Sequence, residues 1–194
     1  MSKENWKPGT MVYPLPAVLV SCGTSREEYN LITVAWTGTL CTEPPMCYIS
    51  IRPDRHSHGI IARTGECVIN LTTVALARAT DWCGVKSGRD YDKFAECGLT
   101  PSPSAVVSAP SVAESPVSIE CRVNRIVPLG SHDMFMLDVV NVAVDSKYID
   151  SSGRFDMQAA GLISYCHGEY FSLGKVLGFF GWSVCKRKDV RRGR

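Results

Sequence analysis

The chain has 194 residues, 45% of them hydrophobic, so it is long enough for one substantial core, and we expect a single domain over residues 1–194. Residues 186–194 carry six Lys or Arg and one Asp, which more than accounts for the net charge of +2 and leaves the rest of the chain close to neutral and without a nucleic-acid signature. We therefore expect no nucleic-acid partner, and we interpret 186–194 as a solvated basic tail and 1–12 as an N-terminal arm.

The sequence also indicates a cellular compartment. Residues 1–7 lack the apolar stretch of a signal peptide, and no segment reaches the roughly 18 apolar residues of a membrane helix. Nine cysteines without a CxxC pair are typical of packed thiols in a reducing environment. We expect a cytoplasmic protein without a membrane partner.

The first predicted elements are three strands. Residues 17–23 form a short apolar run, and a Thr-Glu-Pro-Pro break separates two runs rich in β-branched and aromatic residues, 30–40 and 46–52. Alternation places the hydroxyls of Thr33 and Thr37 on one face of the first run, together with other short side chains. This face would let a flat ring lie close to the backbone.

Arg52 stands at the end of the second run, and Arg55 and Ser57 follow it. A planar guanidinium and a hydroxyl can hold a phosphate, so a flat, anionic, heteroaromatic ligand such as flavin mononucleotide (FMN) fits this stretch. Threonine-rich strands are common, however, and a half-buried barrel strand without a ligand is the alternative interpretation. The pattern 56–62 then predicts a short helix that ends near Gly65, with Ser57 in its first turn, where helix N–H groups favour a phosphate.

A further strand is predicted at 66–71, and Thr72 or Thr73 is expected to cap a helix that runs to about Trp82. The loop CGVKSGRD at 83–90 combines glycines with cations and is a second candidate anion site, although an ordinary polar connection would look similar. It is not a P-loop, because no strand enters it and the glycine spacing differs. The segment DYDKFAEC predicts another short helix.

The second half of the chain is dominated by strands. Residues 100–116 are rich in Pro, Ser and Ala and predict an extended connection, after which alternation predicts strands at 117–127 and 135–144, with Ser118 and Glu120 on the outward face of the first. Shorter strands are expected at 162–166 and 170–173. This pattern predicts a mainly β fold, a barrel with short α insertions.

Other chemistry is not supported by the sequence. His56 with His58, and Cys166 with His167, are the close His and Cys pairs, and neither has the spaced partners that zinc requires, so we predict no metal. A Cys-His nucleophile is equally unsupported, because adjacent residues do not orient each other. We expect most aromatic residues to be buried in the barrel or in a subunit interface, and the apolar run 176–182 to pack across a two-fold axis.

Several segments resemble the flavin reductase-like family, most closely its flavoredoxin branch: NLITVAWTG, PPMCYISIRPDRHSH, CVINL, CGVKSGRDYDKF, PVSIECRV and LGSHDMF. The resemblance runs from about Tyr13 to Val184. It implies an FMN-binding split β-barrel with Greek-key-like topology, usually a homodimer, that moves electrons between a reduced nicotinamide and a flavin.

The resemblance also implies a set of site residues. We expect FMN to contact Asn30, Thr33, Val34, Ala35, Trp36, Thr37, Ser50, Ile51, Arg52, Arg55, His56, Ser57, Gly84, Lys86, Ser87 and Arg89. His132, in GSHDMF, matches a family histidine at the nicotinamide and is the candidate catalytic residue, and we expect Tyr165 to join it in binding substrate. Leu137 stands where the family pattern has glycine, which would narrow the nicotinamide groove.

The expected function is an FMN-binding oxidoreductase that passes electrons from NAD(P)H to free flavin, ferric iron or another acceptor. The alternative is a flavoredoxin-type carrier that keeps FMN tightly bound and is reduced by a partner protein. A third interpretation is a flavin-binding module without redox activity.

Overall fold

The computed structural model describes residues 1–184, so the basic tail expected at 186–194 lies outside the described part of the chain. The strands are β1 Leu15–Pro16, β2 Val18–Cys22, β3 Asn30–Val34, β4 Thr37–Cys41, β5 Met46–Ile51, β6 Glu66–Leu71, β7 Pro101–Ser102, β8 Ser111–Val112, β9 Val117–Pro128, β10 Asp133–Val144, β11 Ile163–Cys166 and β12 Glu169–Ser172. The α-helices are α1 His56–Thr64, α2 Ala77–Val85 and α3 Lys93–Glu96, and a 3₁₀ turn at Val74–Leu76 leads into α2.

Seven antiparallel strands form the main sheet, in the order β3-β2-β6-β9-β10-β5-β4. The two edge strands, β3 and β4, follow each other in the chain, so the sheet curls until its edges meet. At the junction the Ser50 N–H, from β5, donates to the carbonyl of Trp36, which lies between β3 and β4, at 2.9 Å. The predicted mainly β barrel with short helical insertions is confirmed.

Alternation along the strands fills the barrel interior with aliphatic and aromatic side chains. Phe135, Ile49 and Val20 are fully buried there, and burial of each such side chain contributes about 1.5–3 kcal/mol. The opposite faces of β2 and β3 carry Leu19 and Leu31 into a second apolar cluster under the helices. The core therefore holds the β3 backbone from both sides.

The expected first run, 30–40, is not one continuous strand. It breaks at Ala35 and Trp36, where the Thr37 N–H donates back to the Ala35 carbonyl at 3.0 Å, and the chain changes from one sheet edge to the other. The alternation of side chains between the two sheet faces cannot be extended across such a bend, because the bend changes the face to which the following side chains point.

The short helices agree with the expectations except at one cap. Helix α1 ends before Gly65, which has φ 70° and donates its N–H to the Ile61 carbonyl, as predicted. The side chain of Thr73 does not cap the turn that leads into α2, and the Thr72 hydroxyl donates to the Ala17 carbonyl. Thr72 therefore fastens the start of the helix to the sheet instead of capping the helix.

The outward face of β9 is covered, which the alternation pattern did not reveal. Glu120 is 2% exposed, and its carboxylate accepts hydrogen bonds from the N–H groups of Ala105 and Val106 and from the Asn141 amide, at 2.7–2.9 Å. Burial raises the pKa of Glu120, but these hydrogen bonds lower it more, so the net pKa lies below its usual value. The segment 100–116 is thus fastened to the sheet by a buried charge.

Within residues 1–184, no helix has the length and apolar character needed to cross a membrane. The apolar run 176–182 is largely exposed, with Phe180 and Leu177 open to solvent. Its packing across a two-fold axis stays a prediction.

Candidate functional site

Two adjoining cavities open where the sheet edges meet. The first, which we call the ring cavity, has a volume of about 320 Å³, and the second, the anion cavity, has a volume of about 210 Å³. Ile32, Arg55 and Gly84 line both, so the two cavities form one continuous site. An elongated ligand could place a ring in one and a charged end in the other.

The anion cavity is strongly electropositive. Arg55, Lys86, Arg89 and Lys93 line it, and Asp54 contributes the one carboxylate found among its described lining residues. Four cations around so small a volume favour an anion of more than one charge, such as a phosphate.

Lys93 lies deepest in this set, at 3% exposure, and its Nζ donates to the Cys83 carbonyl at 2.7 Å. Burial lowers the pKa of Lys93, and the nearby Arg55 lowers it further. A bound anion would offset both effects, because it restores a favourable partner for the buried ammonium.

The pKa of His56 is influenced by the same positive charges. Its pKa lies below the usual value, first because of burial and then because of the charges of Arg89 and Lys93. Beside it, Ser57 is 1% exposed and accepts a 2.7 Å hydrogen bond from the Asn30 amide. Both residues stand in the first turn of α1, whose leading N–H groups lack partners within the helix and can meet an anion.

Glycines allow the 83–90 loop to close over the site. A Cβ added at Gly88 would lie 2.0 Å from Oδ1 of Asn30, and one at Gly84 would lie 3.3 Å from Cβ of Thr33. Beyond Gly88, the Arg89 guanidinium donates to the Asp54 carbonyl at 3.0 Å. The loop therefore depends on a bare backbone at position 88 to reach the strand and on Arg89 to reach the turn before α1.

Aromatic residues form the far wall of the ring cavity. Trp36, Tyr165 and Tyr170 line it, and the two tyrosine rings meet edge to face with their centroids 5.6 Å apart. The Tyr170 hydroxyl donates to Asp81 at 3.4 Å, and burial, followed by this carboxylate, raises the pKa of Tyr170 to about 12. A planar ring would meet aromatic faces here and the backbone of 33–36 on the other side.

His132 stands at the mouth of the ring cavity, just before β10 begins. Its Nδ1 is within 2.9 Å of the Ser131 hydroxyl, and its carbonyl accepts a hydrogen bond from the Leu129 N–H that closes the turn. The turn thus places His132 on the lining of the ring cavity.

The structure brings almost all of the expected contacts together. The ring cavity takes Thr33, Val34, Ala35, Trp36, Ser50, Ile51, Arg52, Arg55, Gly84, His132 and Tyr165. The anion cavity takes Asn30, Arg55, His56, Ser57, Gly84, Lys86, Ser87 and Arg89. Thr37 lines neither cavity, because it is buried and its hydroxyl donates to the Tyr48 carbonyl at 2.6 Å.

The Thr33 hydroxyl is bonded within the protein. Thr33 lines the ring cavity, but its hydroxyl donates to the Thr80 carbonyl of α2. Leu31, on the same face of β3, packs into the apolar cluster under the helices. The short side chains on this face let α2 approach, and the Thr33 hydroxyl has no further hydrogen to donate to a ligand.

Two further expectations also change. Arg52 lines the ring cavity rather than the anion cavity, and it pairs with Asp54 at 3.5 Å with just over half of its side chain exposed. Leu137 is fully buried in the barrel core and does not line the ring cavity, so it does not narrow a nicotinamide groove.

Lys93, Asp81 and Tyr170 are among the site residues that sequence reasoning missed. One signal for Lys93 was present, since a cation at the first position of α3, directly after the capping Asp92, opposes the usual charge preference of a helix start. Such an exception indicates that another partner holds the charge. Asp81 and Tyr170 come together only through the packing of α2 against β12.

No group of three or more His, Cys, Asp or Glu side chains within the described part of the chain could hold a metal ion. The donor set fits a flavin mononucleotide instead: cations, a buried hydroxyl and a helix start for a phosphate, and an aromatic-walled cavity for a ring system. Charged and aromatic residues outnumber Leu, Ile and Val among the residues that line the two cavities.

The sequence pattern of the flavin reductase like domain matches residues 10–174, and the chain belongs to this family. Among solved structures, it is similar to the flavoredoxin of Desulfovibrio vulgaris (Miyazaki F), with a TM-score of 0.88 and 28% identity over 95% of this chain and 100% of that one. The flavoredoxin of Methanosarcina acetivorans shares the fold, with a TM-score of 0.85 and 20% identity over 95% and 100% of the two chains.

The chain is also similar to curated proteins from archaea. An uncharacterised protein of Archaeoglobus fulgidus is 28% identical over 161 residues, which cover 83% of this chain and 89% of that protein. An uncharacterised protein of Pyrococcus abyssi is 31% identical over 126 residues, which cover 65% and 72% of the two chains.

Proposed function

We propose that this protein binds FMN across the two cavities and acts as a flavin-dependent oxidoreductase. The observation that carries the proposal is the continuity of an aromatic-walled cavity with a compact cationic one, through Ile32, Arg55 and Gly84. The phosphate would lie against Ser57, Lys93 and the 86–89 loop, and the ring against Trp36. The flavoredoxin of Desulfovibrio vulgaris, which is 28% identical, supports this proposal.

A bound flavin supplies reversible transfer of two electrons, and the protein contributes binding and orientation. Arg55, at the junction of the cavities, would fix the distance between ring and phosphate, because it lines both. The backbone N–H groups near 33–36 would donate to the oxygen edge of the ring. The Thr37 N–H is not available for this, since it donates to the Ala35 carbonyl.

His132 would act on substrate at the open side of the ring cavity. Its Nδ1 is within hydrogen-bond distance of the Ser131 hydroxyl, so the Nε2 edge is left to meet a donor or acceptor molecule. An imidazole there can hold a proton or donate a hydrogen bond to an amide such as that of a nicotinamide. Tyr165 would border the same molecule.

The electron donor we propose is NAD(P)H, and the acceptor is free flavin, ferric iron or another small molecule. The burial of Leu137 in the core supports direct nicotinamide use, because this side chain then does not narrow the groove that a nicotinamide would enter. The second candidate is a carrier that keeps FMN bound and takes electrons from a partner protein, and the likeness to flavoredoxins favours it. We further propose a single-domain, cytoplasmic homodimer that uses the exposed apolar run 176–182 as part of its interface.

Two measurements test the proposal. Titration of the purified protein with FMN should show saturable binding, followed by the change in flavin fluorescence, and failure to bind would refute it. Rapid anaerobic mixing of the FMN-loaded protein with NADH or NADPH should then bleach the flavin absorbance within seconds. If dithionite reduces the bound flavin and neither nicotinamide does, the carrier is the correct function.

A further inference from the structure

A third cavity, which we call the apolar cavity, adjoins the ring cavity. Its volume is about 390 Å³, and Trp36 and Ser50 line both cavities. Residues 9–13, which include the end of the N-terminal arm, form one wall, and Leu129 and Met134, on either side of the His132 turn, form another. A ligand in this cavity would therefore lie within reach of a ring bound beside Trp36.

The chemistry of the wall restricts the ligand. No charged side chain of the described residues lines the apolar cavity, whereas Arg52, Arg55 and Asp81 line the neighbouring ring cavity. A dinucleotide brings phosphates that need cationic partners, so the apolar cavity is unsuited to that part of NAD(P)H. An uncharged molecule is the better match.

The wall of the apolar cavity also carries polar groups. Met134 and Met11 provide flexible thioethers, which pack well against aromatic rings, while Tyr48 and Ser50 carry hydroxyls, and Ser50 also lines the ring cavity. Hydroxyls can donate to carbonyl oxygens. A flat conjugated ring with carbonyl groups therefore satisfies both the apolar and the polar parts of the lining.

We infer that the apolar cavity binds an uncharged quinone, which accepts electrons from the flavin; this inference rests on the proposed function. Two electrons and two protons pass from the reduced flavin to the quinone, which leaves oxidised flavin and a hydroquinone. The N-terminal arm has a role in this inference, because residues 9–13 complete the site and bring Met11 and Val12, both more than half exposed, towards it.

The test uses the full chain loaded with FMN and kept oxidised, with duroquinone as the probe, because its fully methylated ring cannot add to the cysteine thiols. Calorimetric titration should show saturable binding, and a sulfonated anthraquinone should bind more weakly. Leu129→Asp and Val12→Asp, both at exposed positions, should each weaken duroquinone binding at least tenfold while FMN affinity stays the same. The matched control, Val74→Asp, is exposed and lines neither the ring cavity nor the apolar cavity, so it should bind duroquinone as the unsubstituted protein does.

Failure of the inference can be told apart from failure of the proposed function. The FMN titration comes first, and loss of FMN binding there would remove both. The inference alone would be overturned if the FMN-loaded protein did not bind duroquinone. It would also be overturned if Leu129→Asp bound duroquinone as well as Val74→Asp does. A second copy of the chain as occupant is the other outcome: Leu129→Asp would then shift the monomer–dimer equilibrium in gel filtration without changing duroquinone affinity, and the inference would be wrong.

Discussion

Replacement of Gly88 by alanine should strongly weaken flavin binding. The new Cβ would lie 2.0 Å from Oδ1 of Asn30, well inside any allowed contact, and Asn30 cannot easily move because it is buried and donates to the Ser57 hydroxyl at 2.7 Å. Either the Asn30–Ser57 hydrogen bond breaks or the 86–89 loop withdraws. Both outcomes damage the anion cavity.

The size of the effect follows from what is lost. Breaking the Asn30–Ser57 hydrogen bond costs about 0.5–1.5 kcal/mol, and each charge-assisted bond from Lys86 or Arg89 to a phosphate contributes about 1.5–3 kcal/mol. If the loop withdraws so that one or two such contacts weaken, FMN affinity falls by about 2–4 kcal/mol, or roughly thirtyfold to a thousandfold. Fluorescence titration of FMN measures this directly.

Gly59→Ala is the matched control. Gly59 lies within α1, whose residues His56 and Ser57 line the anion cavity, and a Cβ at Gly59 meets nothing within 4 Å. The substitution should leave FMN affinity unchanged and raise the free energy of unfolding by about 0.5–1 kcal/mol, because alanine favours a helix interior over glycine. Equal FMN affinity in Gly88→Ala and Gly59→Ala would refute the assignment of the 86–89 loop to the phosphate.

Three further predictions address charge. Arg55→Ala should weaken FMN binding by about 1.5–3 kcal/mol, whereas Arg52→Ala should cost less than about 1 kcal/mol, because Arg52 is half exposed in a surface ion pair; equal losses in equilibrium titrations would contradict this. A bound phosphate should raise the lowered pKa of His56, so FMN affinity should fall as pH rises through that pKa. The fall should be steeper in the unsubstituted protein than in His56→Gln. Parallel pH profiles of FMN affinity in the two proteins would show that His56 does not interact with the phosphate. The pKa of Glu120 is lowered in the folded state, so its stabilisation is present above the unfolded pKa and lost as pH falls through the folded pKa. Glu120→Gln should accordingly lower the free energy of unfolding by about 1–3 kcal/mol at neutral pH, and by less in acid, as measured by urea denaturation.

The strands and two anion-binding segments could be predicted from local patterns, whereas most individual site residues were assigned through the family resemblance. Periodicity located β5, β6, β9 and β10, and the glycine at position 65 located the end of α1. The Ser57 and 86–89 segments were predicted as separate anion sites, and the structure places them in one cavity. These features depend on a few neighbouring residues, which is why the sequence reveals them.

Features that depend on long-range packing could not be predicted. The Thr33 hydroxyl has the same local sequence whether it faces a ligand or the Thr80 carbonyl, and only the position of α2 decides between them. Glu120 alternates as a surface residue would, yet the 100–116 segment buries it. The bend at Trp36 arises from barrel closure, to which no local pattern corresponds.

The junction near Trp36, where the sheet edges meet, links ligand occupancy to the opening of the barrel. Val34 belongs to one edge and Ile51 to a strand beside the other, and both line the ring cavity. A molecule held between them would contact both sides of this junction, so separating the edges would also require its release. The loaded and empty proteins should therefore differ in how easily this corner unfolds, and saturating ligand would raise the midpoint of thermal unfolding through mass action.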